Sequence, residues 1–280
     1  VFRWWKTEVL KDLLLLKKLI SQVDEQLINP FWIALSSVCL DCANIHRNHP
    51  TISFDDNHKR EIDVWFEFNQ KIKRIITDLT DLEKVGGIND DNPTKVYLGD
   101  STKLDKTLPL TTTIDRVITS PPYPNRFSYI HTTRPQLFFM DVIKDAKTAT
   151  DIDIDAIGGT WGRATSILDR EPLQPNDEIA DILQIFGDEL LPKSLLMGNY
   201  AIKYFNMMHE HIKSLKPFVS KRFKGVYVVG NSRLYDIEIH TEIILAKIFQ
   251  REGFNVDTIM MFRKRGGKSK LFETGVCVSI

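Results

Sequence analysis

Val117, Ile118 and Thr119 form a β-branched run that is followed at once by Ser120-Pro121-Pro122-Tyr123. Branched side chains suit a strand inside a sheet, and proline cannot donate to a sheet ladder, so the two prolines must end the strand where they stand. Each proline ring holds φ near about −65° and pushes the residue before it toward extended backbone, which stiffens Ser120 and Pro121 as well. The chain therefore leaves the strand as a rigid corner that presents the Ser120 hydroxyl, the Pro121 carbonyl and the Tyr123 ring together. In open α/β sheets the carboxyl ends of the strands are where ligands bind. Pro121 and Pro124 also have the spacing of a polyproline ligand, but such ligands lie in flexible tracts, whereas an apolar strand and an apolar helical run flank this corner.

On either side of the corner the apolar spacing predicts helices first and alternating elements later. Val9, Leu13, Leu16, Ile20 and Val23 recur at helical spacing and predict a helix over 7–27, ended by Asn29-Pro30. Two more helices are expected over 31–47 and 62–79, the latter with Trp65, Phe66, Ile72, Ile76 and Leu79 inward, so that 1–92 forms a helical part closed by Gly86-Gly87 and a polar run. Strands are expected at 95–98, 117–119 and 225–229, with 256–262 and 274–280 as a closing antiparallel pair. Helices are expected at 200–215 and at 237–252, the latter opened by Asp236 and closed by Gly253. This alternation implies an α/β fold with a mostly parallel sheet, built from 93–130 and 197–280. Residues 131–196, which include Gly158-Gly159-Thr160-Trp161-Gly162-Arg163, are too many for a connection and are expected to be a functional insertion.

A chain of 280 residues can bury a large core. Its 37 basic and 37 acidic side chains create no global field, so any nucleic-acid surface must be local. Two basic clusters could supply one: Lys213, Lys216, Lys221, Arg222 and Lys224, and Arg263, Lys264, Arg265, Lys268 and Lys270. Three cysteines are too few for a disulfide framework. Cys39, Cys42, His46 and His49 fall on one helix and its end, where they cannot easily enclose a tetrahedral ion, so no metal is expected. The longest aliphatic run, Leu13, Leu14, Leu15 and Leu16, is far short of the roughly 20 residues that span a bilayer, and a soluble cytoplasmic protein is expected.

Thr-Ser-Pro-Pro-Tyr at a strand end resembles the catalytic loop of the S-adenosylmethionine-dependent DNA amino-methyltransferases, whose pattern is Asp, Asn or Ser followed by Pro-Pro and an aromatic. Ser in the first position resembles the cytosine-N4 branch, Asp being commoner in the adenine-N6 branch. Ala34-Leu35-Ser36-Ser37, Gly99-Asp100, Gly158-Gly159-Thr160-Trp161-Gly162 and Val228-Val229-Gly230-Asn231-Ser232 look like further landmarks of restriction-modification methyltransferases with this loop. The resemblance implies a class I, Rossmann-like methyltransferase sheet, Ser120, Pro121, Pro122 and Tyr123 as catalytic loop, and Asp100 with Gly99 at the cofactor. Its partner would be double-stranded DNA from which the target base is everted. Candidate DNA contacts are Asn125, Arg126, Arg134, Trp161, Arg163, Lys221, Arg222, Arg263 and Arg265.

The chemistry fits these residue types. An exocyclic amino nitrogen is a poor nucleophile because its lone pair is delocalised into the ring, and two fixed acceptors for its hydrogens favour a pyramidal, reactive nitrogen. Ser120 Oγ and the Pro121 carbonyl are the candidates, while Tyr123 replaces the stacking that the everted base loses. No glycine cluster, however, follows a hydrophobic strand as the glycine-rich turn that such enzymes use to approach the cofactor's methionine end. The expectation is therefore an incomplete sheet, the catalytic-loop half of an enzyme, to which a complementing chain brings that turn. A non-catalytic DNA-recognition or assembly subunit, or an RNA methyltransferase, are the other readings.

Overall fold

The structure is a computed structural model that describes residues 3–46, 52–55, 61–87, 94–159, 163–265 and 271–280, and the backbone alone of Arg163 and Ala164. His49, Trp161, Lys268 and Lys270, singled out above, lie outside the described residues. In chain order the first elements are α1 Thr7–Ile20, α2 Ile28–Asp41, α3 Val64–Lys84, α4 Leu104–Thr107, β1 Ile114–Thr119, α5 Tyr129–Phe139 and α6 Ala146–Asp155. They are followed by α7 Arg163–Leu168, α8 Leu195–Leu215, β2 Val219–Gly230, β3 Ser232–Leu234, β4 Ile237–Ile239, α9 Thr241–Arg251, β5 Asn255–Arg265 and β6 Leu271–Ser279. The chain divides into two compact units, Val1–Lys95 with Tyr129–Ala149, and Val96–Ser128 with Thr150–Ile280.

The first unit is helical. Val9, Leu13, Leu16 and Ile20 are buried along one stripe of α1, as their spacing predicts. They pack with Leu35, Val38 and Cys39 of α2, Val64 and Phe68 of α3, and Phe139 of α5. Trp5 fills this core, donating its indole hydrogen to the Cys39 carbonyl at 2.9 Å with the Phe139 ring edge-on at 5.6 Å. Burial pushes the Cys39 thiol up, and the neighbouring Cys42 adds to the effect.

Three expectations are corrected here. The first helix stops at Ile20, and Asn29-Pro30 sits inside the first turn of α2, where a proline's missing N–H would have had no partner in any case. That second helix ends at Asp41 rather than near 47. In α3, capped by the Asp63 carboxylate on the Phe66 N–H at 2.9 Å, Val64 and Phe68 turn inward while Trp65, Phe66, Ile76 and Leu79 are exposed. One step of 100° in the placement of the stripe separates the two readings.

The second unit carries a four-stranded sheet in the order β1-β2-β6-β5. β1 runs parallel to β2, and β6 runs antiparallel to both β2 and β5. The sheet is thus mixed, not mostly parallel, and the closing pair β5–β6 forms as expected. Phe223, Gly225, Tyr227 and Val229 alternate into one face of β2, where Tyr200, Phe205, Phe249, Val276 and Val278 join them in a core built on α8 and α9. On the opposite face Ile118 is 85% exposed, Met260 47% and Phe262 50%.

The segment 95–98 forms no strand, and Val96 and Leu98 stand fully in solvent. A β-branched or aromatic run becomes a strand only when a neighbour accepts its backbone hydrogen bonds, and among the described residues β1 pairs on one side only, with β2. The helix expected over 237–252 is a short strand followed by a helix: β4 pairs with β3 through the turn Tyr235-Asp236, α9 starts after His240, and Gly253 at φ +80° closes it. The insertion expected over 131–196 is divided between the units. Its later part is tied to α8 by Asn199, whose amide accepts from Leu173 N at 2.7 Å and donates to the carbonyls of Leu168 and Glu171. No described helix is long and apolar enough to cross a membrane.

Candidate functional site

β1 ends at Thr119, and the corner that follows is held from beneath by two tyrosines of α8. Tyr204 donates its hydroxyl hydrogen to the Pro122 carbonyl at 2.7 Å, and the Tyr200 hydroxyl accepts the Arg126 N–H at 2.9 Å. Spaced four apart, the two rings share one face of the helix. Gly158, at φ +77°, brings its backbone close to this corner: a Cβ there would lie 3.7 Å from the Tyr123 carbonyl and 3.8 Å from Pro122. With its carbonyl ends fixed, the loop keeps Ser120 exposed while Pro121, Pro122 and Tyr123 are half-buried.

Ser120 donates to the Tyr123 hydroxyl at 3.2 Å, which in turn donates to the Glu273 carboxylate of β6 at 3.3 Å. The Arg263 guanidinium grips that carboxylate from the neighbouring strand. Its hydrogen bond and charge hold Glu273 below the usual carboxylate range, so the chain of hydroxyls ends on an anion. Hydrogens pulled in this direction leave both lone pairs of Ser120 Oγ facing away from the relay, and successive bonds polarise one another. No hydrogen bond reaches the Pro121 carbonyl among the described residues. Two acceptors are thus available at the corner. The Arg265 guanidinium lies 5.2 Å from the Tyr123 ring centre, a cation–π distance.

Pro122 also lines a cavity of about 710 Å³ together with Gly99, Asp100, Asp155 and Lys203. The Asp100 carboxylate accepts from Thr102 N at 2.9 Å, from Thr102 Oγ1 at 2.7 Å and from Lys103 Nζ at 3.0 Å. What desolvation it meets pushes its pKa up, but these bonds and the lysine's charge outweigh it and keep the group anionic. Lys203 donates to the Ile154 carbonyl at 2.6 Å; burial pushes its pKa down against the pull of Asp153 and Asp155. His211 holds the Asp100 turn from the other side. Its Nδ1 lies 2.9 Å from the Ser101 carbonyl and must donate there, which leaves Nε2 to accept from Tyr227 at 2.9 Å. Burial pushes His211 down, with the Ser101 bond opposing it.

S-adenosylmethionine fits this cavity only in part. The volume is in the range of cofactor sites, and Asp100 offers an anionic acceptor at its rim. Gly99 is a different matter, because a Cβ there would come within 2.2 Å of Thr107 Oγ1, so its missing side chain serves packing against α4. No glycine turn for the cofactor's methionine end lines the cavity.

The other candidates part company. Asn125, Arg126 and Arg265 line a second cavity beside the corner, and Arg263 reaches the corner through Glu273. Lys221 and Arg222 lie toward the amino end of β2, whereas Thr119 pairs with Tyr227, so that basic cluster sits at the opposite end of the strands from Ser120. Lys213 of the same cluster pairs with Glu178 at 2.7 Å. Arg134 belongs to the first unit, its guanidinium 5.7 Å from the Trp4 ring. Only the helical backbone of Arg163 is described. The sequence reading missed Glu273, Tyr200, Tyr204, Lys203 and His211. The spacing of Tyr200 and Tyr204 was legible as one helix face, but nothing local says what that face meets.

Two curated proteins are similar to the chain: the Type II methyltransferase M.AvaI of Nostoc sp. (strain PCC 7120) and the protein of the same name from Anabaena variabilis. Each is 27% identical over 171 residues, which cover 55% of this chain and 34% of the relative. The chain therefore spans about a third of the length of the curated relatives it matches, and its relation to a Type II methyltransferase is a distant one. No family model and no solved structure matches it.

Proposed function

We propose that the chain is the catalytic-loop part of a DNA methyltransferase of a restriction-modification system, acting on the exocyclic amino group of an everted base. Cytosine N4 is the preferred target because position 120 is Ser; adenine N6 is the alternative. One observation carries this function: an exposed serine hydroxyl, oriented by Tyr123 and Glu273, stands beside a free backbone carbonyl at the carboxyl end of a strand. The distant likeness to a Type II methyltransferase supports the same activity.

Ser120 Oγ and the Pro121 carbonyl accept the two amino hydrogens and hold the nitrogen lone pair out of the ring plane. Tyr123 takes the place of the lost neighbour in the stack. Asp100 would be the polar anchor for S-adenosylmethionine in the cavity under Pro122, and the group would supply an electrophilic methyl whose carbon–sulfur bond breaks, its electron pair leaving on sulfur, as the nitrogen–carbon bond forms. The nitrogen proton becomes acidic only once the new N–C bond exists, so neither acceptor has to be a strong base, and solvent at the exposed corner takes the proton away.

The fold that fits this activity is a class I, Rossmann-like sheet whose remaining strands come from a complementing part. Among the described residues β1 has one free edge, and Ile118, Met260 and Phe262 are exposed on one sheet face. Large apolar side chains exposed together on one sheet face mark a surface that another part covers. The same part would bring the glycine turn that the cavity lacks.

Methyl incorporation into duplex DNA, followed by nucleoside analysis, tests the function. N4-methylcytosine is expected from the chain together with the glycine-turn segment of a similar methyltransferase; N6-methyladenine would select the alternative base, and methylated RNA would overturn the substrate. Calorimetry separates a self-sufficient enzyme, which binds S-adenosylmethionine alone, from a part that binds it only when complemented.

A further inference from the structure

The hairpin β3–β4 plays no part in the chemistry above, yet it lines the second cavity, about 430 Å³, together with Asn125, Arg126 and Arg265. Three arginines, Arg126, Arg233 and Arg265, line it, and no acidic residue does; the Arg265 guanidinium also donates to the Asn231 and Phe272 carbonyls. The nearest acidic partner of Arg233 is Asp236 at 3.9 Å, with both side chains largely exposed, a pairing worth little in water. Ser232 also lines the wall: it is 4% exposed, and its buried hydroxyl has no hydrogen-bond partner among the described residues. Arg126 at φ +60° and Tyr235 at φ +52° are two of the three non-glycine residues with positive φ among the described residues, and both face this cavity. Such backbone is costly for large side chains and collects at functional sites. Tyr235 is 59% exposed at the hairpin tip.

We propose that this cavity receives a phosphodiester and its sugar, next to the everted nucleotide in the same DNA strand, with the Tyr235 ring stacking on the adjoining base. The assignment rests on the function proposed above and deepens it. Arg265 joins the two sites, because it lines the cavity while its guanidinium lies 5.2 Å from the ring centre of Tyr123. Arginine suits phosphate by its planar fork of donors. The corner runs straight into the cavity lining, since the turn closed by the Asn125 N–H on the Tyr123 carbonyl at 2.8 Å leads from Tyr123 to Asn125 and Arg126.

Fluorescence anisotropy with a labelled 14-base-pair duplex carrying one unpaired cytosine tests this, using the full chain and two variants. Tyr235→Gly keeps the left-handed turn and deletes only the ring, so the hairpin still closes; Arg233→Gln keeps the stem and deletes the charge. Tyr235→Gly is expected to weaken binding at least about fivefold. Arg233→Gln is expected to lower the slope of log affinity against log salt by about one, the signature of one lost phosphate contact. Lys193→Gln, at an exposed position away from the cavity, should change neither. If the wild type binds the duplex and both variants bind equally well, the cavity assignment falls alone. A wild type that binds no nucleic acid even with the glycine-turn segment present overturns the proposed function and this assignment with it. Variants that lose affinity for S-adenosylmethionine but not for DNA would overturn the phosphodiester as the ligand.

Discussion

The Tyr204 hydroxyl lies 2.7 Å from the Pro122 carbonyl, and this one bond joins the middle of α8 to a loop 82 residues earlier in the chain. A proline carbonyl accepts no ladder hydrogen bond here, and without Tyr204 it would be an unsatisfied acceptor against a buried ring. The diproline corner is therefore stiff by its own covalent geometry but is placed by the helix beneath it.

Tyr204→Phe should cost about 0.5–1.5 kcal/mol of stability, the net worth of one hydrogen bond at a half-buried acceptor. Urea unfolding measures that. Turnover should fall by about tenfold, while affinity for S-adenosylmethionine holds. A variant with normal turnover would show that the prolines alone place the corner.

Tyr123 has a ring and a hydroxyl with different tasks. Tyr123→Ala should cut both base capture and turnover, by about 1–3 kcal/mol in binding from lost stacking, and should spare cofactor binding. Tyr123→Phe keeps the ring but interrupts the path from Ser120 to Glu273. Its binding should therefore stay near wild type while turnover falls, and Glu273→Gln should resemble it. Equal turnover in all three would remove both roles.

His211 makes stability depend on pH. Burial lowers its pKa in the folded chain below the ordinary 6.5, so the unfolded chain takes up the proton first as pH falls. Its contribution is complete above pH 6.5 and is lost as pH drops below that value toward the folded pKa. Urea midpoints at pH 7.5 and 5.5 should show a larger acid loss for wild type than for His211→Leu. The variant should start lower at pH 7.5, because Tyr227 loses its partner and the Ser101 carbonyl keeps only the Ser214 hydroxyl as donor.

Ile118 tests the complementing part. Its side chain is 85% exposed, so Ile118→Lys should leave the stability of the isolated chain within about 0.5 kcal/mol of wild type. Association with the glycine-turn segment should weaken at least tenfold in sedimentation or pull-down measurements, because a charge would have to be buried at the joint. Unchanged association would place the joint elsewhere.

Local rules were sufficient for much of this molecule. The end of β1 at Thr119, the stripe of α1, the closing pair of strands and the glycine that stops α9 all follow from covalent geometry or from spacing along a few turns. They depend on neighbours in sequence, which a sequence contains. The segment 95–98 and the sheet's mixed direction could not be read in that way, since a strand exists only through its partner. The same holds for the site. Ser-Pro-Pro-Tyr could be recognised from its own residues, whereas Glu273, Tyr204 and Arg233 belong to it only because folding brings positions 80 to 150 residues away to the corner. Chain connectivity carries propensity, and only the packed structure decides which distant side chains share a cleft.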